Sequence, residues 1–311
     1  MTLGKNCSKC NVNSFISLEY AGTQLCKKHF LEMFERRFRS TVREFGMINK
    51  GETIALGLSG GKDSVTLLHL LAGLRKVLPF TLIAITVDYG VTCDYGKKTM
   101  NIAKESCKSL DVPHHVVTFK EEIGFTLGDI VKKTKTKNPC SYCGVIRRRI
   151  LNKTARELGA NKLAIAHTLD DTVQTVIMNL MRNEPMRLLR YVEPLVKDGN
   201  FVPRIRPLIR ASENEVISYG KLRSLKIIEK SCCPYAKSAL RRPVRTHIDM
   251  LEDEHPGTKI GILNSFLWMN KKLRAAVSNE KLELIYCKKC GEPASVDECM
   301  YCKMVSQWKS T

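Results

Sequence analysis

One stretch constrains this chain more than any other: the apolar run TIALGL at 53–58 passes directly into SGGKDS at 59–64. The run reads as a buried strand, and the residues that follow, DSVTLLHLLAGLRKVL, read as a helix, so the hexapeptide occupies a strand-to-helix turn. Gly60 and Gly61 allow the backbone to approach an anion closely. The start of the helix adds unpaired N–H groups and the positive end of a dipole. Ser59 and Ser64 contribute hydroxyls, Lys62 a point charge, and Asp63 either a helix cap or a ligand for magnesium. The loop reads as a phosphate cradle. It is not the Walker loop, which requires G-x-x-x-x-G-K-[ST].

The same alternation continues downstream. Strands are expected at 80–88, 113–119 and 161–167, with helices at 97–111, 143–159 and 169–182 between and after them. Strands alternating with helices imply βαβ units and a doubly wound α/β fold, with a parallel sheet covered on both faces. Ligands in such sheets bind beyond the carboxyl ends of the strands. From about 184 to 210 the periodicity breaks at Pro185, Pro194, Pro203 and Pro207, with Arg187, Arg190, Arg204, Arg206 and Arg210 among them. This stretch reads as an extended, basic, loop-rich crossing. Helical patterns then return.

Thirteen cysteines decide the organisation at the two ends. Cys7-x-x-Cys10 and Cys26-x-x-His29 bring four soft donors together, as a tetrahedral zinc ion prefers, and Cys287-x-x-Cys290 with Cys299-x-x-Cys302 do the same. Both segments are too short to build their own core, so metal would supply the folding energy. Either could be structural or could also grip RNA. The divisions expected are a zinc finger at 1–30, a linker helix at 31–50, a catalytic domain at 51–225, a helical extension at 226–283 and a second zinc finger at 284–311. Phe30, Phe34 and Phe38 recur at helical spacing in the linker, with Arg36, Arg37, Arg39 and Arg43 leaving much of the remainder basic.

The formal net charge of +20 favours a polyanionic partner, most simply a nucleic acid. No apolar run reaches the length of a membrane span, and the first residues lack the apolar core of a signal peptide. A cytoplasmic protein with no membrane partner is expected.

SGGKDS resembles the pyrophosphate loop of the N-type ATP pyrophosphatases, which split ATP into AMP and pyrophosphate while adenylating a carbonyl oxygen. AHTLDD at 166–171 resembles the second motif of the branch that thiolates tRNA. NPCSYCGVIRR at 138–148 resembles that branch's C-x-x-C-G-x-x-[KR]-R segment, and CCPY at 232–235 its C-P-Y segment. With a knuckle at each end, nearly the whole chain resembles the TtuA-type tRNA 2-thiouridine synthetases, a family that includes the archaeal and eukaryotic cytosolic tRNA 2-thiolation proteins.

The resemblance implies an ATP-dependent tRNA sulfurtransferase. ATP and magnesium would sit at the loop, with Asp88 at the nucleoside and Asp171, beside Asp170, orienting metal or phosphate. Asp88 as a turn cap and Asp170 as a helix cap are the plain alternatives. Where the family often has lysine, this chain has Arg147, which argues for charge stabilisation over proton transfer. Cys140, Cys143 and Cys233 would carry a 4Fe–4S cluster with one open iron; a cluster-free persulfide route is the alternative, and Cys232 competes with Cys233. Cys93 and Cys107 read as ordinary buried thiols. Partners would be tRNA, a sulfur donor (a ubiquitin-like thiocarboxylate, a persulfide carrier or sulfide) and a second copy of the chain. Uridine 34 is favoured over uridine 54, because thirteen cysteines and eleven methionines are unlike a composition built for heat. Other pyrophosphate-loop ligases and a non-catalytic zinc-knuckle RNA binder are the competing functions.

Overall fold

The computed structural model describes residues 6–91, 94–136, 138–192, 201–228, 233, 235, 240–277, 285–294 and 296–309. Cys93, Pro194 and Cys232 lie outside the described residues.

A short antiparallel hairpin, β1 (Ile16–Leu18) and β2 (Thr23–Leu25), leads into α1 (Lys27–Glu44). The three phenylalanines of α1 are buried as their spacing predicts, and the Phe34 ring stacks on Tyr219 at 4.7 Å. Burial of each such ring is worth about 1.5–3 kcal/mol, so α1 anchors the first knuckle to the main core. Arg37 departs from the expected basic face. It bonds Glu215 at 2.6 Å and the Tyr20 hydroxyl at 2.7 Å, whereas Arg36, Arg39 and Arg43 are exposed.

The central sheet follows: β3 (Thr53–Gly57), α2 (Lys62–Leu74), β4 (Thr81–Asp88), α3 (Asp94–Ser109), β5 (His114–Thr118), α4 (Phe119–Ile123), α5 (Leu127–Thr134), α6 (Pro139–Glu157), β6 (Lys162–Ala164), α7 (Leu169–Met181), α8 (Pro185–Val192) and β7 (Arg204–Ile205). The strand order is β5-β4-β3-β6-β7, and every pairing is parallel. Alternation within β3 sorts the two faces. Ile54 and Leu56 join a core with Leu67 and Leu71 of α2 and Val173 of α7, while Ala55 joins Leu151 and Ala155 of α6. A sheet buried on both faces explains the unbroken apolar runs.

Beyond the sheet lie α9 (Glu213–Leu222), α10 (Arg241–Glu254) and α11 (Thr258–Val277). A hairpin, β8 (Ile285–Tyr286) with β9 (Pro293–Ala294), and α12 (Met300–Lys309) complete the described chain. Met304 and Trp308 of α12 pack with Leu127, Ile130 and Ile146 of α5 and α6, so the second knuckle is seated on the main domain.

Three local expectations need correction. The stretch from 184 to 210 is not wholly extended. Pro185 opens a helix, where its missing N–H costs nothing, and Arg204–Ile205 adds the fifth strand. The strand expected at 161–167 is confined to Lys162–Ala164. Helices α4 and α5 were not anticipated, although each starts with a capping box, Thr118 with Glu121 and Thr126 with Asp129. Among the described residues no helix is long and apolar enough to cross a membrane.

Candidate active site and metal centres

The loop at 58–61 leaves β3 at the point where the sheet order reverses, between β4 and β6. Gly60 has φ +74°, and a Cβ there would lie 1.9 Å from the Thr99 carbonyl oxygen of α3, so only glycine fits. Ser59 and Ser64 bond each other at 3.1 Å, and Ser64 Oγ donates to the Gly61 carbonyl at 3.0 Å. The N-cap of α2 is Gly61, which supplies no side-chain cap, so the first N–H groups of the helix face the loop without one.

Lys62 Nζ bonds Asp63 at 3.0 Å and Glu213 of α9 at 2.8 Å. Burial pushes the Asp63 carboxyl up to about 6, helped by the negative charges of Asp171 and Glu213 and opposed by Lys62. Asp63 Oδ1 is buried without a hydrogen-bond partner. An uncapped helix start, an ammonium and an orphaned carboxylate oxygen beside a second carboxylate fit a polyphosphate with its magnesium ion.

The adjacent aspartates of α7 are used differently. Asp171 forms the capping box with Thr168 and lies 3.5 Å from Arg241, within the electrostatic reach of Asp63. Asp170 is buried. It accepts from Lys259 Nζ at 2.6 Å and from the Glu213 N–H at 2.7 Å, and the N-cap of α7 is Thr168 rather than Asp170. Asp88, at the end of β4, accepts from the Gly90 N–H at 2.8 Å and closes a turn with one oxygen.

The cysteine-rich segments meet beside the same end of the sheet. Cys140 Sγ donates to the Tyr235 carbonyl at 3.3 Å, which brings Tyr235 against the first turn of α6. Burial raises the Cys140 and Cys143 thiols, and charge on Cys233 raises both further; Arg147 opposes this in each case. Tyr89, next to Asp88, is pushed up to about 12 by burial and then by Cys233 and Cys143. The three thiols, Arg147 and the end of β4 therefore form one neighbourhood. Cys107 is buried, as expected.

Among the described residues, two sets of four donors lie within 4.8 Å of one another: Cys7, Cys10, Cys26 and His29, and Cys287, Cys290, Cys299 and Cys302. Sulfur pairs in these sets are 3.7–3.8 Å apart. A tetrahedron with Zn–S of about 2.3 Å has an edge of about 3.8 Å, so both sets fit zinc. Burial raises Cys7 and Cys287, but N–H donors, including Lys9 to Cys7 and Cys299 to Cys287, outweigh it and bring each to about 6. Cys140, Cys143 and Cys233 supply three soft thiol donors, the donor set that an iron–sulfur cluster takes. Arg149 joins the second knuckle to α6. It lies over the Tyr301 ring at 4.3 Å and donates to Cys290 Sγ at 3.6 Å.

Glu213, Arg241 and Lys259 were missed in the sequence. They reach Lys62, Asp171 and Asp170 from elements far downstream, Arg245 backs Glu213 at 2.6 Å, and no local pattern marks these pairings.

A sequence profile of the PP-loop domain matches residues 30–248. The chain is 33% identical over 297 residues to the tRNA-5-methyluridine(54) 2-sulfurtransferase of Pyrococcus horikoshii, covering 96% of this chain and 92% of that one. It is 32% identical to the tRNA 2-thiolation protein NcsA of Haloferax volcanii, covering 96% and 98%. Among solved structures, the U34-tRNA thiolase NcsA from Methanococcus maripaludis with its [4Fe-4S] cluster superposes with a TM-score of 0.82 at 34% identity, covering 100% of this chain and 97% of that one. The chain belongs to the PP-loop family, in the branch that holds the archaeal and eukaryotic cytosolic tRNA 2-thiolation proteins.

Proposed function

We propose that this protein is an ATP-dependent tRNA 2-sulfurtransferase. The observation that carries the reading is the meeting, at one end of the sheet, of a phosphate loop with an orphaned carboxylate oxygen and a three-cysteine set beside an arginine. The similarity to tRNA thiolation proteins along nearly the whole chain supports it.

The uracil C2 oxygen is a poor leaving group. Adenylation turns it into a phosphate ester that departs as AMP when sulfur attacks. Backbone N–H groups of 59–64 and Lys62 bind the polyphosphate, and Glu213 fixes the lysine. Asp63 and Asp171 would hold magnesium, which would draw negative charge from the polyphosphate as pyrophosphate leaves. Cys140, Cys143 and Cys233 would hold a 4Fe–4S cluster, which would supply Lewis-acid binding of hydrosulfide. Arg147 favours the thiolate forms of Cys140 and Cys143 and does not exchange a proton. Asp88 keeps one oxygen for the nucleoside while the other holds the turn. Cys7, Cys10, Cys26 and His29 would hold one zinc ion, and Cys287, Cys290, Cys299 and Cys302 a second.

We place the reaction at uridine 34, supported by the 34% identity and TM-score of 0.82 to a U34 thiolase. The U54 reading is carried by the Pyrococcus relative. The test is anaerobic turnover with ATP, magnesium, sulfide and unmodified tRNA. Formation of AMP, pyrophosphate and 2-thiouridine is expected, and nuclease mapping with mass spectrometry reads the position. Release of ADP, or AMP formation indifferent to tRNA, would overturn the assignment.

A further inference from the structure

The arginines of this chain fall into two groups. Arg187 pairs with Glu184 at 3.0 Å, Arg210 with Glu44 at 2.8 Å and Arg241 with Asp171 at 3.5 Å. Among the described residues, no carboxylate pairs with Arg147, Arg148, Arg204 or Arg206. These four come from two neighbouring elements. Arg147 and Arg148 follow Cys143 by about one turn on α6, and Arg204 and Arg206 lie in and just after the edge strand β7. Ile205 between them is buried in the core on the α2 and α7 side, so Arg204 projects toward α6.

The two arginines of the strand side are held in place, yet their charge is not neutralised. Arg204 lies over the Phe201 ring at 5.6 Å. Arg206 lies over the Tyr191 ring at 4.0 Å and donates to the Tyr191 carbonyl, while its Nε is buried without a partner. Burial, with the charges of Arg148 and Arg206, lowers Arg204 to about 10. Burial and the charges of Arg206, Arg241, Arg147 and Arg204 hold His167 well below the usual histidine range. Like charges gathered at a half-buried place with no acid of their own suit an anionic ligand, and guanidinium forks match phosphate oxygens.

We propose that Arg148, Arg204 and Arg206, with Arg147 at their rim, bind a backbone phosphodiester of the RNA strand next to the reacting nucleotide. The proposal rests on the tRNA-thiolation reading. ATP is the other source of phosphate, but its cradle on β3 already has a helix start and Lys62. That cradle is two strand positions from β7, roughly 10 Å along the sheet. The arginines instead lie on the side of the thiols, since Cys143 feels both Arg147 and Arg148. A uridine held between loop and thiols would carry its flanking phosphate to them.

The test compares wild type with Arg148→Gln, Arg204→Gln and Arg204→Lys. Affinity for unmodified tRNA is measured across a salt series, and affinities for ATP and inorganic pyrophosphate are measured beside it. Each Gln variant should bind tRNA about tenfold more weakly, and its slope of log affinity against log salt should shrink, by at most about one because the arginines share one phosphate. Arg204→Lys should keep most of the slope, and ATP affinity should be unchanged in all three. Arg148 is exposed, so its variant reads the site even where Arg204→Gln disturbs the strand. Wild-type tRNA affinity and slope in Arg148→Gln would overturn the proposal, as would a selective loss of ATP or pyrophosphate affinity. A wild-type protein that binds no tRNA would overturn the functional reading itself, whereas intact thiolation with unaltered variants would remove only this site.

Discussion

Replacing Gly60 by alanine should disable the phosphate loop. The positive φ of +74° costs a non-glycine residue about 1–2 kcal/mol. The new Cβ would also lie 1.9 Å from the Thr99 carbonyl oxygen and 2.6 Å from its carbon. Both are backbone atoms, so no rotamer change gives relief. Thr99 is itself fixed, because its hydroxyl donates to the carbonyls of Tyr95 and Gly96 at 3.0 Å. Loop and helix must therefore separate by about 1 Å, at an overpacking cost of about 1–3 kcal/mol. With the dihedral strain the total is about 2–5 kcal/mol, or roughly 3–8 °C in Tm for a chain of this size. A displacement of about 1 Å at a reacting group costs about 100-fold in rate, so kcat/KM for AMP formation should fall by that order. Gly61→Ala is the control. Its Cβ would meet Ser59 Oγ at 3.5 Å and the Tyr95 hydroxyl at 3.8 Å, with no positive φ. Thermal melting and AMP release for both variants form the assay. Equal stability and turnover in Gly60→Ala and Gly61→Ala would refute the steric reasoning.

Lys259→Met should destabilise the fold by about 3–5 kcal/mol, since it leaves buried Asp170 without its cation, and denaturant titration measures this. Burial, aided by Arg223 and Lys76 and opposed by Glu35, depresses the His69 pKa. The stability contribution of this residue is thus full above about pH 6.5 and is lost as pH falls toward its folded value. Wild type should therefore lose more Tm between pH 7.5 and 5.5 than His69→Gln, and parallel curves would contradict this. Purified protein should hold two zinc ions per chain, and Cys302→Ser should lose one. Trp308 is 1% exposed and Trp268 is 64% exposed, so freeing α12 should shift the blue-edge fluorescence to the red; an unchanged spectrum would reject the coupling.

The parallel sheet and the loop were legible because their signals are local: apolar runs of strand length, and a hexapeptide whose residue types each suit an anion. The two four-ligand sets were legible from spacing alone. Helix α8 was not, because prolines were read as breaks where Pro185 is a helix start. Helices α4 and α5 carried their signal in the capping pairs at 118 and 121 and at 126 and 129, which apolar periodicity does not register. The resemblance singled out Asp171, but the residues alone could not show that Asp170 is taken up by the fold. Neighbours on a helix diverge by about 100°, and only the presence of Lys259 and Glu213 on one side decides which carboxylate is spent on the fold. The pairing of Glu213 with Lys62 likewise depends on topology.

That last ion pair also sets an order of assembly. Lys62 leaves the ribosome long before Glu213, and until α9 docks the lysine has only its neighbour Asp63 to bind. The cradle is therefore completed by a late, long-range contact, the kind that closes slowly in parallel α/β chains. On the proposed function, a nascent chain exposes SGGKDS early but lacks the ion pair that orients its ammonium toward a nucleotide, so capacity to consume ATP would arise only once the downstream helices are in place.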